Sequence, residues 1–265
     1  MVFETNTTGD GMNERQEGIL ASIRQGQRVR VRELAERFGV SEMTIRRDLV
    51  ALEAQGLLIR THGGGAPVSR LRAPDGALTP ASPEKVAIGR AAAALAAPGE
   101  TVMVDAGTTA LQVARHLPRD AGLIVVTTSL LVAQELYGAG PRLLLLGGFL
   151  RDDFPGVYGP LTETALASLR VDILFIGCDG ASAEEGFYTA DLHLLSLERA
   201  MIAAAARVVL VTESAKFGRR ALARFATPDQ VHTLVTDTGL VPRDRERLEE
   251  QGVRLLLTGS LRGRE

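Results

Sequence analysis

Between residues 13 and 54 the apolar positions fall into three stripes at helical spacing. Asn13 is a natural cap for a segment carrying Ile19, Leu20 and Ile23, and Gly26 closes it. Residues 28–31 alternate Arg and Val at period two, after which Leu34, Ala35 and Phe38 predict a brief second helix closed by Gly39. Ser41 then caps a third helix, with acidic Glu42 in its first turn and Val40 placed to pack on Ile45 as a hydrophobic staple. After Gly56 the run Leu57-Leu58-Ile59, followed by Arg60-Thr61-His62 and three glycines, predicts a β-hairpin wing whose turn needs positive φ. From Pro83 the pattern changes. Short apolar runs at 101–104, 123–127, 142–146, 172–177, 207–212, 233–236 and 254–257 alternate with helical segments at about 84–97, 110–116, 130–137, 160–169, 192–206 and 243–251. Near-continuous apolar strands between helices predict an α/β domain, a doubly wound and mostly parallel sheet covered on both faces. Ligands in such sheets bind beyond the carboxyl ends of the strands.

The two patterns are separated by HGGGAPVSRLRAPDGALTPAS, residues 62–82, which has neither helical nor strand periodicity. Such a stretch is longer than most loops inside a compact domain, which favours two domains. The expected division is a winged helix–turn–helix at 14–68, a linker at 69–82 and a larger domain at 83–259, with tails at 1–13 and 260–265.

Charge sharpens this division. The 265 residues carry a net charge of −2, which taken whole argues against a nucleic-acid partner. Residues 14–72, however, hold eleven Arg and no Lys against seven acids, net +4, leaving −6 on the other 206 residues. The near-neutral total hides a basic module. No run approaches the ~18 apolar residues of a membrane span, and residues 1–13 lack a signal-peptide pattern, so a cytoplasmic protein without membrane contact is expected. Cys178 is the single cysteine and the four histidines (62, 116, 193 and 232) show no ligand spacing, so neither a disulfide nor a metal is expected. GxxxxGK[ST] is absent, which argues against nucleoside triphosphate chemistry, and no cofactor is expected.

At about 100° per residue, Ile45, Leu49 and Leu52 share one arc of the third helix, while Met43 and Arg47 lie opposite with Thr44 and Arg46 on the flanks. Ser41, Met43, Thr44, Arg46 and Arg47 therefore form an outer face of short hydroxyls and forked guanidinium groups, suited to phosphates and base edges in a major groove. Arg60 and His62 on the wing fall near a phosphate backbone. For any single Arg a solvated helix face is the plainer explanation; the combination of helix–turn–helix spacing, cap, paired Arg and wing favours DNA. In the larger domain, Asp105, Gly107, Thr108 and Thr109 follow a strand and open a helix, a ready anion site. Thr128 and Ser129, Gly148 with Arg151, and Asp179 end three further strands, and Lys216 supplies a cation. Together they suggest a small phosphorylated, polyhydroxylated ligand, although such glycines also simply make tight turns. Cys178 has no base beside it and reads as a buried small residue.

The stretch VSEMTIRRDLVALEAQGLLIRTHGGGA, 40–66, resembles the hallmark of DeoR-type transcriptional regulators, VSxxTIRRDLxxLExxGLLxRxHGGA, with one extra glycine before Ala66. The resemblance implies that Ser41, Thr44, Arg46 and Arg47 lie at the DNA. Asp48, angled toward the second helix, is expected to be a structural partner, since phosphate repels a carboxylate. The larger domain resembles the effector domain of the same family, itself similar to ribose-5-phosphate isomerase, through Asp105 to Thr109, Gly147-Gly148 with Arg151, Gly159, DILFIGCDG at 172–180, Gly186 with Thr189, Met201 and Ser214 to Gly218. It departs from the family at Leu194-Leu195, at Glu198 where a Lys is usual, and at Glu213-Ser214-Ala215-Lys216 where Asp-Ser-Ser-Lys is usual. The reversed charge at 198 counts against the family's usual ligand set.

The expected function is that of a repressor of a carbohydrate operon that binds operator DNA as a homodimer or homotetramer and responds to a phosphorylated sugar. Paired half-sites supply affinity that one winged helix lacks. An aldose–ketose isomerase fused to a DNA-binding domain is the alternative, with Asp179, Glu184 or Glu185 as base, but no second acid–base group is in evidence. Non-specific DNA wrapping is disfavoured by the acidic larger domain.

Overall fold

The structure is a computed structural model that describes residues 13–24, 29–54, 57–61, 63–67, 81–151 and 154–259. His62 and residues 69–80 of the expected linker lie outside the described residues. The chain divides into two compact units, Met1–Arg72 and Ala73–Glu265.

In the first unit, helix α1 (Glu14–Arg24), strand β1 (Val29–Arg30), helices α2 (Val31–Phe38) and α3 (Glu42–Ala54) and strands β2 (Leu58–Thr61) and β3 (Gly64–Pro67) follow in order. Asn13 and Gln16 cap α1 reciprocally: the Gln16 amide donates to Asn13 Oδ1 at 2.9 Å and the Asn13 amide to Gln16 Oε1 at 3.2 Å. Gly39 ends α2 in the left-handed conformation, φ 65°, and the Thr44 amide donates to Ser41 Oγ at 3.2 Å to open α3. Ile19, Ile23, Leu34, Ile45, Leu49, Leu52 and Leu58 are buried in one core on which Val40 also packs. The hairpin gains a third strand: the antiparallel order is β1-β3-β2, so the alternating stretch supplies two strand residues and Val31 already begins α2. The glycine run is what permits it. A Cβ on Gly64 would stand 1.9 Å from the Val29 carbonyl oxygen.

The second unit is built on a seven-stranded sheet. Its strands are β4 (Thr101–Val104), β5 (Ile124–Thr127), β6 (Arg142–Leu145), β9 (Val171–Ile176), β12 (Ala205–Val211), β14 (Thr233–Asp237) and β15 (Arg254–Thr258), all paired in parallel in the order β15-β14-β12-β9-β4-β5-β6. All seven expected runs are these strands. Helix α4 (Pro83–Ala93) precedes them, and α5 (Thr108–His116), α6 (Leu130–Leu136), α7 (Pro160–Ala167), α8 (Leu192–Ala204) and α9 (Pro242–Glu250) fall between them. Alternate strand residues enter opposite cores: Val102, Val104, Ile173, Phe175, Val209 and Val211 on one face, Met103, Leu174, Ile176, Val208 and Leu210 on the other. Burial on both faces is why the strands read as continuous apolar runs.

Two small antiparallel sheets were not expected from the sequence: β7 (Phe149–Arg151) with β8 (Phe154–Tyr158), and β10 (Gly180–Ser182), β11 (Gly186–Thr189) and β13 (Ala223–Ala226) in that order. Helix α4 also departs at both ends. Ser82, assigned to the linker, is its N-cap, and the helix stops at Ala93 rather than near 97. Alanine propensity alone favours continuing, but Pro98 disfavours the helical conformation at Ala97, whose amide instead donates to Glu100 Oε2 at 2.8 Å.

Strand order fixes where a ligand can sit. From β4 the chain winds outward through β5 to β6, then returns to β9 on the other side of β4 and winds outward through β12, β14 and β15. The reversal opens a crevice at the carboxyl ends of β4 and β9.

Candidate functional site

On α3 the apolar arc is buried and the opposite face is open. Met43 is 60 % exposed, and Arg46 and Arg47 are exposed beside half-buried Thr44. Ser41 Oγ lies 2.9 Å from Thr44 Oγ1. Arg46 Nη2 donates to Glu42 Oε2 at 3.1 Å across one helical turn, a solvent-screened pair that DNA can displace. Arg47 makes no ion pair among the described residues. The backbone amide of Arg60 donates to Glu53 Oε1 at 3.0 Å, and its guanidinium lies 3.7 Å from the same carboxylate.

Asp48 turns the other way and is buried. Arg15 Nε donates to its Oδ2 at 2.6 Å, Arg15 Nη2 and Gln16 Nε2 to its Oδ1 at 3.3 Å. Its partners are on α1, not on the side of α2 that helix angles alone suggested. The hydrogen bond to Asp48 holds the Arg15 guanidinium above its ordinary pKa. The carboxylate ties α3 to α1 and leaves the outer face free of negative charge at that turn.

In the second unit a cleft of about 280 Å³ lies at the switch point. Six of the expected ligand residues line it: Asp105, Gly107, Thr108, Thr109, Asp179 and Lys216. Asp105 straddles the crevice. Its amide donates to the Phe175 carbonyl at 3.0 Å and its Oδ2 accepts from the Gly177 amide at 3.2 Å. Burial pushes its carboxyl pKa up against the opposing pull of the Gly177, Ala106 and Gly107 amides, and Asp179 adds to the rise. Gly107 caps α5 without a side-chain acceptor, so the first amides of that helix face the cleft unspent by any cap. Asp179 is held in place by the Ala190 amide, which donates to its Oδ2 at 2.8 Å.

Four expected residues fall outside the lining. Ser129 Oγ accepts from the Val132 amide at 3.2 Å as the cap of α6, and Thr128 is buried beside it. Gly148 marks a close approach: a Cβ there would meet Thr162 Oγ1 at 2.2 Å. Arg151 meets the cleft through two lining residues, Asp191, with which its guanidinium pairs, and Phe154, over which it stacks; it also stacks over Tyr158.

The remaining lining comes from residues the sequence did not single out as ligands. Lys85 pairs with Glu213 at 3.5 Å, and Ser82 Oγ donates to the same carboxylate at 2.9 Å. Thr189, Asp191 and Thr212 also face the cleft, as does Glu198. Glu198 is only 9 % exposed, and its Oε2 has no hydrogen-bond partner among the described residues. Burial, then Asp105, Asp179 and Asp191, against a hydrogen bond from Thr189, push its pKa up to about 9. Asp191, an N-cap ahead of an apolar run, was findable by its cap pattern; Glu198 was visible only as a departure. Cys178 donates to Thr212 Oγ1 at 3.4 Å, and burial pushes its thiol to about 12, which removes it as a nucleophile.

Residues 15–70 match the DeoR-like helix-turn-helix domain and residues 81–238 the DeoR C terminal sensor domain. The chain belongs to the DeoR family of transcriptional regulators. It is 35 % identical to the putative aga operon transcriptional repressor of Escherichia coli O157:H7, over 94 % of this chain and 95 % of that one. It is also 35 % identical to the regulator GlpR of Haloferax volcanii, over 91 % and 95 %, and to the glycerol-3-phosphate regulon repressor of Escherichia coli K12, over 84 % and 90 %. As a DeoR-family chain it is a DNA-binding regulator and not an enzyme. Of the three candidate bases for an isomerase only Asp179 lines the cleft; Glu185 is taken up by Tyr188 and Arg220, and Glu184 lies 4.0 Å from Arg247. Among solved structures the chain is similar to ribose 5-phosphate isomerase A of Methanocaldococcus jannaschii, TM-score 0.37 and 17 % identity over 50 % of this chain and 53 % of that one. It is similar too to the Pyrococcus horikoshii translation initiation factor eIF-2B, TM-score 0.43 and 14 % identity over 84 % and 95 %. The strand order, not these distant likenesses, establishes the fold class of this DeoR-family regulator. No helix among the described residues is long and apolar enough to cross a membrane.

Proposed function

We propose that the chain is a cytoplasmic repressor of a carbohydrate operon that releases or tightens its hold on operator DNA when a phosphorylated sugar enters the cleft. The observation that carries this reading is the switch-point cleft itself, where the uncapped start of α5, the Thr108 and Thr109 hydroxyls and Lys216 converge on one opening. Residues 14–68 act as the DNA module and 83–259 as the sensor, joined by 69–82. Ser41, Met43, Thr44, Arg46, Arg47, Arg60 and His62 face the operator, and Thr128, Ser129, Gly148 and Arg151 support the ligand site from behind the lining. The repressor and regulon names of its relatives support the same assignment.

Paired half-sites require at least a homodimer, and a homotetramer extends the same logic. Exposed apolar residues in the sensor suit a second copy: Tyr137 at the end of α6, Leu144 and Leu145 on the edge strand β6, and Phe149 and Leu150 on β7. Effector coupling of ~1–3 kcal/mol would shift operator affinity roughly 5- to 150-fold. Gel shifts on the chain's own upstream DNA, with and without a panel of sugar phosphates, test the assignment. Sequence-selective binding that one phosphate changes supports it, and Asp105→Ala is expected to remove that response. Binding without sequence preference at every salt concentration overturns it.

A further inference from the structure

The cleft is unevenly equipped. Gly107, Thr108, Thr109 and Lys216 suit an anion, yet Asp105, Asp179, Asp191 and Glu198 line the same space. Asp191 is answered by Arg151, and Lys85 is already engaged by Glu213. Asp105 and Asp179 each accept backbone amides, which orient them without neutralising them. Glu198 Oε2 is buried and receives no donor from the described residues. A buried carboxyl oxygen left without a hydrogen-bond partner is destabilising, and most so once the group is ionised. Its persistence in a ligand cleft points to a donor that arrives with the ligand.

The chemistry of that donor follows from the charges around it. A sugar hydroxyl would satisfy Oε2 but would leave Asp105 and Asp179 facing Lys216, the one lining cation without an ion pair among the described residues. An ammonium brings three N–H donors and a positive charge to the same place. We infer that the effector is a phosphorylated polyol bearing a protonated primary amine, and that the ammonium donates to Glu198 while the phosphate lies at the start of α5. The inference rests on the phosphorylated-sugar reading of the cleft and narrows it. Because burial and its acidic neighbours keep Glu198 protonated up to about pH 9 in the empty cleft, pairing with an ammonium makes it release a proton.

Titration calorimetry of the full chain at pH 7 tests this with glucosamine, mannosamine and galactosamine 6-phosphates against glucose, mannose and galactose 6-phosphates, each in two buffers of different ionisation enthalpy. The expected result is at least tenfold tighter binding of one amino compound than of its parent, with release of about one proton for the amino compound only. In Glu198→Gln the amino compound is expected to fall to the affinity of its parent, and in Glu198→Lys the parent is expected to bind the tighter. The calorimetry on the unaltered chain stands even where a variant fails to fold. Parents binding as well as amino compounds, or amino binding without proton release, overturns the inference and leaves the sugar-phosphate reading intact. Binding of none of the six overturns both.

Discussion

The DNA-binding unit buries Asp48 and the sensor unit buries Glu198, the two buried acids among the described residues, at 5 % and 9 % exposure. Their surroundings are opposite. Asp48 takes donors on both oxygens, from Arg15 and Gln16, whereas Glu198 keeps one oxygen without a donor among the described residues and looks out on three further carboxylates. Burial alone therefore does not assign a role to a charged group. A buried acid with its donors supplied by the chain is a tie between elements; one whose donors are missing is held open for something outside the chain.

The largest expected effect breaks the satisfied member of this pair. Asp48→Ala leaves Arg15 and Gln16 at the α1–α3 contact without their acceptor and is expected to destabilise the DNA-binding unit by about 3 kcal/mol. Hydrogen exchange at the amides of α1 and α3 reads this directly, and unchanged protection would show that the tie carries no stability. Next comes a charge without a partner on the surface. Arg47 is exposed, so its lack of an ion pair costs nothing in the folded chain, and its use lies in the complex. Arg47→Ala is expected to weaken operator binding by ~1–3 kcal/mol with little change in melting temperature, and to relax specificity at one position if the group reads a base. A gel shift equal to that of the unaltered chain would remove Arg47 from the interface.

The unsatisfied acid should respond with the opposite sign. The carboxyl of Glu198 titrates near 9 in the folded chain against 4.5 ordinarily, so between those values the folded chain holds a proton that the unfolded chain has released. Stability contributed at this position is therefore undiminished below about pH 4.5 and falls as pH rises toward 9. The groups facing it are Asp105, Asp179, Asp191 and Cys178, with Lys216 on the same cleft; Asp105, whose pKa is also raised, adds to the same trend. Glu198→Gln removes the titration and is expected to raise the melting temperature by several degrees at pH 8.5, on the order of 1–2 kcal/mol, with almost no gain at pH 4.5. A gain of the same size at both pH values would mean that packing, not charge, is responsible.

The same contrast explains what the sequence made legible. Ser41, Gly39 and the Ile45-Leu49-Leu52 arc act within a few residues of one another, so caps and periodicity were enough to place α3 and its open face. The seven sheet strands were equally plain because both their faces are buried. The cleft is different: Lys85, Thr189, Asp191, Glu198 and Thr212 come together from α4, β11, α8 and β12, whose adjacency depends on strand order. Helix α8 hides its functional face most completely. Its exposed polar stripe is His193, Ser196 and Arg199, and Glu198 lies nearly opposite among Leu194, Leu195, Leu197, Met201 and Ile202, so periodicity buries it without showing what it faces. Thr128, Ser129 and Gly148 sit at strand ends as expected, but capping and close packing use them first, which strand-end position alone does not reveal.

The smallest expected effect concerns an acid that is exposed and paired, the remaining case in the comparison. Glu42 lies in the first turn of α3, where a negative charge suits the helix dipole, and it pairs with Arg46 one turn on at 3.1 Å with both groups open to water. Glu42→Gln is expected to cost only about 0.5 kcal/mol of stability, since screened pairs of this kind are weak. Its effect on the operator complex should run the other way. Losing a carboxylate near phosphates and freeing the Arg46 guanidinium should tighten binding a few-fold at low salt, with the gain fading as salt screens the charges. Weaker binding in this variant would mean that Glu42 orients Arg46 for a contact rather than competing for it, and the pair would then belong with Asp48 as structure rather than with Arg47 as an open charge.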